Sequence, residues 1–170
     1  MKASRFITAM AVALLSGCAQ FHPVGIVSGT STAAEVQSRM GEPAEKASLG
    51  NGDSVWYYAG GRIARQTYAV QFGANGVVQA VDQRLTEENV NRIIAEKTTM
   101  KEVRELMGPP HHVTYFELSK FTSWEYPMIP GSPSDWRILW VNFSDDGVVR
   151  QVLYMRDPEA DYINPEGDWP

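Results

Sequence analysis

The sequence predicts an α+β fold of two tandem units, each opening with a short helix or helix pair and closing in a three-stranded antiparallel meander. Two observations carry that prediction. The chain repeats itself with a period of about 70 residues, and each copy passes from a helix-start signature to strand-forming segments joined by Asn-Gly or Asp-Gly. A third feature precedes both copies: Cys18, the one cysteine of the chain, closes the string Leu15-Ser16-Gly17-Cys18 behind an apolar run.

Residues 1–17 have the parts of a secretory signal peptide, with Lys2 and Arg5 at the start, an apolar stretch from Phe6 to Leu15, and the small Ser16 and Gly17. The stretch is about ten residues long, and a bilayer span needs roughly 20. Leu-Ser-Gly-Cys resembles the lipobox of bacterial lipoproteins, which implies cleavage before Cys18, lipidation of that residue, and a lipidated tether over residues 18–28. Ala19 in place of an aspartate implies transfer to an outer membrane. More than one acyl chain makes such an anchor durable.

Cleavage would leave about 153 residues and move the net charge from −5 to −7. That length suits one domain or two small ones. A single cysteine allows no disulfide within the chain, so the fold must rest on its packed core. The negative charge argues against nucleic acid, whose binding depends on neutralised phosphates.

The first copy (29–85) contains Ser31-Thr-Ala-Ala-Glu35-Val36-Gln-Ser-Arg-Met40-Gly41-Glu-Pro43, and the second (86–156) contains Thr98-Thr-Met-Lys-Glu102-Val103-Arg-Glu-Leu-Met107-Gly108-Pro-Pro110; six of the thirteen aligned positions are identical. Thr32 with Glu35, and Thr99 with Glu102, have capping-box spacing. Val36 with Met40, and Val103 with Met107, share a helical face. Gly41 and Gly108 stand at left-handed C-cap positions, and Pro43 and Pro110 prevent the helix from resuming. Trp56-Tyr57-Tyr58 then matches Trp124-Glu125-Tyr126, Val70-Gln71-Phe72 matches Val141-Asn142-Phe143, and Asn75-Gly76-Val77-Val78 matches Asp146-Gly147-Val148-Val149. These segments predict the three strands and their hairpin turns. Between the copies, Thr86 to Ala95 predicts a further helix with Thr86 as cap and Val90, Ile93 and Ile94 on its inner face. Its first-copy counterpart, near Phe21 to Val27, contains Pro23 and Gly25 and predicts a tether or a single turn.

The ordered set of threonine cap, Glu-Val, Met-Gly-x-Pro, Trp-x-Tyr and Val-x-Phe-x-x-x-Gly-Val-Val resembles the SmpA/OmlA (BamE-like) family of outer-membrane lipoproteins. The resemblance covers roughly residues 26–82 and again 86–155. It implies two helices on one face of a three-stranded antiparallel sheet, and an accessory role in β-barrel protein assembly. Two copies, where that family's best known member has one, set this chain apart. A tandem pair also resembles the β-lactamase inhibitory proteins, which implies binding of an enzyme across a concave sheet.

Catalytic and metal-binding signatures are weak. His22 lies in the tether, and His111 and His112, adjacent in sequence, would point to opposite faces of a strand. No metal-ligand spacing occurs in the sequence, and neither a metal nor a cofactor is expected. Serines lack a nucleophile-elbow motif. Gly50-Asn51-Gly52-Asp53 and Gly60-Gly61 read as turns between strands, and nothing in the sequence brings Glu117 and Glu125 together as an acid and base. The expected function is therefore non-enzymatic.

Recognition is expected from the strand face opposite the helices, where Trp136, Ile138 and Trp140 alternate with Arg137, Leu139, Val141 and Phe143. Tyr57 and Glu125 face the same way and are secondary candidates for partner contact. Residues 157–170 carry five acidic groups and no basic one, and predict an extended acidic tail. Together these features predict a lipid-anchored lipoprotein on the periplasmic side of an outer membrane, serving as a scaffold or accessory factor in envelope assembly. A modulator of a periplasmic enzyme is the alternative.

Overall fold

The computed structural model describes residues 23, 25–129 and 135–160. Cys18 with its signal, the tether up to His22, the centre of the loop after Pro127, and the acidic tail from Asp161 lie outside the described residues. The chain forms α1 (Ala33–Met40), β1 (Glu45–Gly50), β2 (Asp53–Ala59), α2 (Gly61–Ala64), β3 (Thr67–Phe72), β4 (Val78–Gln83), α3 (Glu87–Val90), α4 (Met100–Met107), β5 (His112–Phe116), β6 (Phe121–Met128), β7 (Arg137–Ser144) and β8 (Val149–Arg156). The strands make two antiparallel sheets, ordered β1-β2-β3-β4 and β5-β6-β7-β8.

This overturns the expected fold of helices on three-stranded meanders: each sheet has four strands, and the helices are few and short. The strands the sequence hid are β1 and β5, each at the edge of its sheet. An edge strand is paired on one side only, and its side chains need not alternate between core and solvent. In β1 half-buried and exposed residues alternate only from Glu45 to Ser48, and none is fully buried. Nor do the copies join into one sheet surface, because β4 and β5 end separate sheets.

Local signals fared differently because they act within one turn of chain. In α1, the Glu35 amide donates to Thr32 Oγ1 (3.3 Å) and the Thr32 amide donates to Glu35 Oε2 (2.8 Å). In α4, the amides of Glu102 and Thr99 make the same exchange at 3.3 and 2.7 Å. Gly41 and Gly108 end these helices at φ +78°, with ψ −161° and −169°. That is an extended positive-φ conformation open essentially to glycine alone, in place of the expected left-handed cap.

Each helix start is also bound to the last hairpin turn of its own sheet. The Ala33 amide donates to Gly76 O and the Val78 amide to Ser31 O; Met100 to Gly147 O and Val149 to Thr98 O repeat the pair. At the turns, Asn75 and Asp146 side chains accept from the Val77 and Val148 amides, which explains Asn and Asp before glycine.

α3 is one turn long, where a helix through Ala95 was expected. Thr86 caps it, but Asn89 sends its side-chain amide to Arg84 O and Leu106 O. Asn91 and the β-branched Val90, Ile93 and Ile94 are poor helix continuers. Val90 and Ile93 are buried, whereas Ile94 is exposed.

Two principal cores result. Val36 packs with Tyr58, Tyr68, Val70, Phe72 and Val78 under α1. Val103 and Met107 of α4 pack with Trp124, Tyr126, Leu139, Val141, Phe143 and Val149 in the larger one. Tyr58 and Tyr126 donate to the carbonyls of Gly41 and Gly108, so each helix end is tied to the second strand of its sheet.

Candidate functional site

The centre of the outer face of the first sheet is covered. Val55, Tyr57 and Ala69 form a third buried cluster there, and the end of α4 closes over it. A Cβ at Gly108 would stand 2.8 Å from Thr67 Cγ2 and 3.1 Å from Tyr57 Cδ1. Gly108 thus lies against the Thr67 and Tyr57 side chains with no room for a Cβ of its own. Arg104 of α4 forks onto Glu45 of β1, with Nε donating to Oε1 at 2.9 Å.

A second clasp closes the seam. The single turn of α2, expected to be a plain loop, carries Arg62 and ends at Arg65, which adopts a left-handed backbone (φ +49°). Both guanidiniums pair with Asp157, just past β8, with Arg62 Nη2 at 2.8 Å from Oδ1. The Arg65 and Asp157 side chains are both 0 % exposed. Arg65 also donates to Arg137 O and lies 4.0 Å from the centre of the Trp136 ring. Burial alone would raise the Asp157 carboxyl, but the Glu159 amide, Arg65 and Arg62 outweigh it and hold it below its ordinary value. Asp157 therefore belongs to the seam, not to a solvated tail.

These contacts redistribute the candidate partner residues. Tyr57 is buried in the seam, and burial raises its hydroxyl pKa. Trp136 packs under Arg65, and Ile138 is buried at 5 % exposure. Trp140 is half-buried, its Nε1 shielded and without a hydrogen-bond partner. Glu125 is half-buried opposite Trp140 and His112. The Trp136–Ile138–Trp140 stripe is thus no open docking face, and a period-two pattern cannot show which sheet face a second unit covers. Leu139, Val141 and Phe143 point to the core as expected, while Arg137 is exposed at the strand end.

The open apolar surface lies instead on β5 and its turn into β6. Val113 is 52 % exposed, Tyr115 48 %, Phe116 38 %, and Leu118 fully so at the tip. Phe116 stacks on Phe121 with centroids 4.6 Å apart, which stiffens the hairpin. Among the described residues β5 pairs with β6 alone, and its other edge has no strand partner there. The corresponding β1 is guarded differently. Lys46 pairs with Glu42 and lies over the Trp56 ring, and Glu45 is held by Arg104. In β5 only Val113-Thr114-Tyr115 alternates, a run too short to mark a strand.

For catalysis, Glu117 sits at the β5–β6 turn and Glu125 opposite His112, about four strand residues apart and hence on the order of 13 Å. They do not form an acid and base pair. His111 and His112 are exposed. The His111 imidazole is held below its usual value by partial desolvation and then by the charge of Arg62. Among the described residues no group of three His, Cys, Asp or Glu is placed to hold a metal ion, and no helix is long and apolar enough to cross a membrane.

No protein-family model matches the chain, and a search of curated proteins finds no match. Among solved structures, the chain is similar to YjgB of Bacillus subtilis, a DUF4309 family protein, at 14 % identity and a TM-score of 0.31 over 79 % of this chain and 84 % of that one. It is also similar to an extracellular protein containing an SCP domain from Bacillus anthracis, at 12 % identity and a TM-score of 0.31 over 95 % of this chain and 51 % of that one. Overlap of that order assigns no role to any residue here.

Proposed function

We propose that this protein is a lipid-anchored lipoprotein of the outer membrane, facing the periplasm, that acts as a non-enzymatic scaffold in envelope assembly by holding a protein partner. The anchor rests on the lipobox-like string at Cys18, and the assembly role on the motifs that resemble the SmpA/OmlA family. One structural observation supports the docking role: the apolar β5 edge, without a strand partner among the described residues and with Val113, Tyr115 and Leu118 exposed. Proteins that leave such an edge uncovered risk aggregation, and the common use for one is to accept an extended strand from a partner. The proposed partner segment is a strand that adds to β5 through main-chain hydrogen bonds and sets apolar side chains beside Val113 and Tyr115.

In-cell photo-crosslinking tests this reading, with probes at Tyr115 and Leu118 and a control at Leu49, an exposed residue of β1. Adducts from the first two positions to barrel-assembly subunits are expected. Adducts to a soluble hydrolase would replace the scaffold with an enzyme modulator, and a pattern no different from Leu49 would refute docking at β5. The anchor is tested by a Cys18→Ala form, which should leave the outer-membrane fraction.

A further inference from the structure

The outer face of the second sheet carries a feature that docking at β5 does not use. Strand register places Ser123, Asn142 and Gln151 in one row across β6, β7 and β8. The rows on either side each hold one aromatic residue, Phe121 beside Ser144 in one and Trp140 between Glu125 and Leu153 in the other. Asn142, Gln151 and Phe121 line a cleft of about 490 Å³ whose rim is completed by Ser119, Glu96 and Arg150. That volume is in the range of small-molecule sites, roughly 300–1,000 Å³.

The polar groups of this face are incompletely paired. Ser123 is fully buried, yet its Oγ has no hydrogen-bond partner; the same holds for the shielded Asn142 Oδ1 and Trp140 Nε1. Ser123 Oγ and Trp140 Nε1 have almost no accessible surface and lie outside the cleft lining, so of this row only Asn142 and Gln151 meet a cleft occupant. Asn142 itself remains partly exposed to the cleft.

We propose that this cleft binds a neutral saccharide of one or two hexose rings. A hexose ring offers hydroxyls that both donate and accept, together with faces of C–H groups. The amides of Asn142 and Gln151 and the Ser119 hydroxyl both donate and accept, as ring hydroxyls require, and Phe121 offers an apolar wall to the ring face. Among the described residues of the rim the one cation, Arg150, is accompanied by the carboxylate of Glu96, so the cleft does not select a phosphate or a carboxylate. A lipid chain would leave the polar row unpaired, at the cost of desolvated amides. The floor is the face of a sheet, so no strand can add there.

The test uses the full chain purified from membranes in a detergent with no sugar headgroup, titrated with cellobiose and with N,N′-diacetylchitobiose. Binding is followed by saturation-transfer NMR and by tryptophan fluorescence. The expected result is saturable binding of at least one disaccharide, weakened about tenfold by the loss of one hydrogen-bonding side chain in Asn142→Leu. Gln151→Ala, at an exposed position, should weaken binding in a chain that still folds. No saturation by either sugar, binding unchanged in both variants, or saturation by a short uncharged peptide alone would overturn the proposal.

Discussion

Replacing Asp157 by alanine should be among the most damaging single changes at the seam. The substitution removes both oxygens that pair with Arg62 and Arg65. Arg62 keeps Glu159 at 3.1 Å on a partly exposed side. Arg65 has no such reserve: its side chain is 0 % exposed, its Nε already lacks a partner, and what remains is a 3.4 Å contact to Arg137 O and the Trp136 ring. Leaving one member of a buried pair uncompensated costs about 3–5 kcal/mol. For a chain of this length that corresponds to a fall in melting temperature of roughly 6–20 °C. Urea denaturation and calorimetry of the full chain, at neutral pH, would measure it.

The reasoning also predicts a partial reversal. Arg65→Met combined with Asp157→Leu removes the charge and the stranded guanidinium together, and should recover most of the loss. A loss below about 1 kcal/mol for Asp157→Ala, within the range of exposed ion pairs, would show that the clasp is solvated and would refute the argument. Acid supplies an independent check. The folded carboxyl lies below its ordinary value of 3.8, so its contribution is complete above the ordinary carboxylate range and is lost as pH falls through the lower folded value. The wild type should therefore lose stability below about pH 4 more steeply than the Arg65→Met/Asp157→Leu form.

Three other measurements address the seam and the cores. Gly41 and Gly108 share φ +78°, but an added Cβ meets nothing at the first and Thr67 and Tyr57 at the second. Gly41→Ala should cost about 1–3 kcal/mol of backbone strain and Gly108→Ala measurably more in equilibrium denaturation; equal costs would mean the α4 end does not press on the first sheet. Met107→Ala, at a fully buried site, should cost about 2–5 kcal/mol through the cavity it leaves, read from the urea midpoint. Thr99→Ala should cost about 1 kcal/mol through the lost cap, and Thr32→Ala a similar amount, because the two capping boxes have the same geometry.

What could be read from the chain is what the chain decides within a few residues. The capping boxes at Thr32 and Thr99, the inward Val36 and Val103, and the Asx-stabilised turns at Asn75 and Asp146 each depend on groups no more than four positions apart. Leu139, Val141 and Phe143 were legible as core because a strand buried on one face repeats with period two. The fourth strand of each sheet was not, since β1 and β5 have one neighbour only and much of their side-chain surface in water. Glu45 and Arg104 are 59 positions apart, and Arg65 and Asp157 are 92 apart. No spacing in the sequence links either pair.

The sequence by itself determined that the chain is written twice, that each copy starts with a short capped helix and ends in antiparallel strands, and that Cys18 stands at the end of a signal-like segment. Tertiary structure alone decided which apolar residues are surface. The two copies share a pattern but meet asymmetrically, with the end of α4 laid across the first sheet. That contact covers Tyr57 and Thr67, and the clasp beside it seats Trp136 under Arg65, while the second sheet keeps its β5 edge open among the described residues. Equivalent positions thus have different environments, because burial depends on what packs against a face and a strand's own alternation cannot report that.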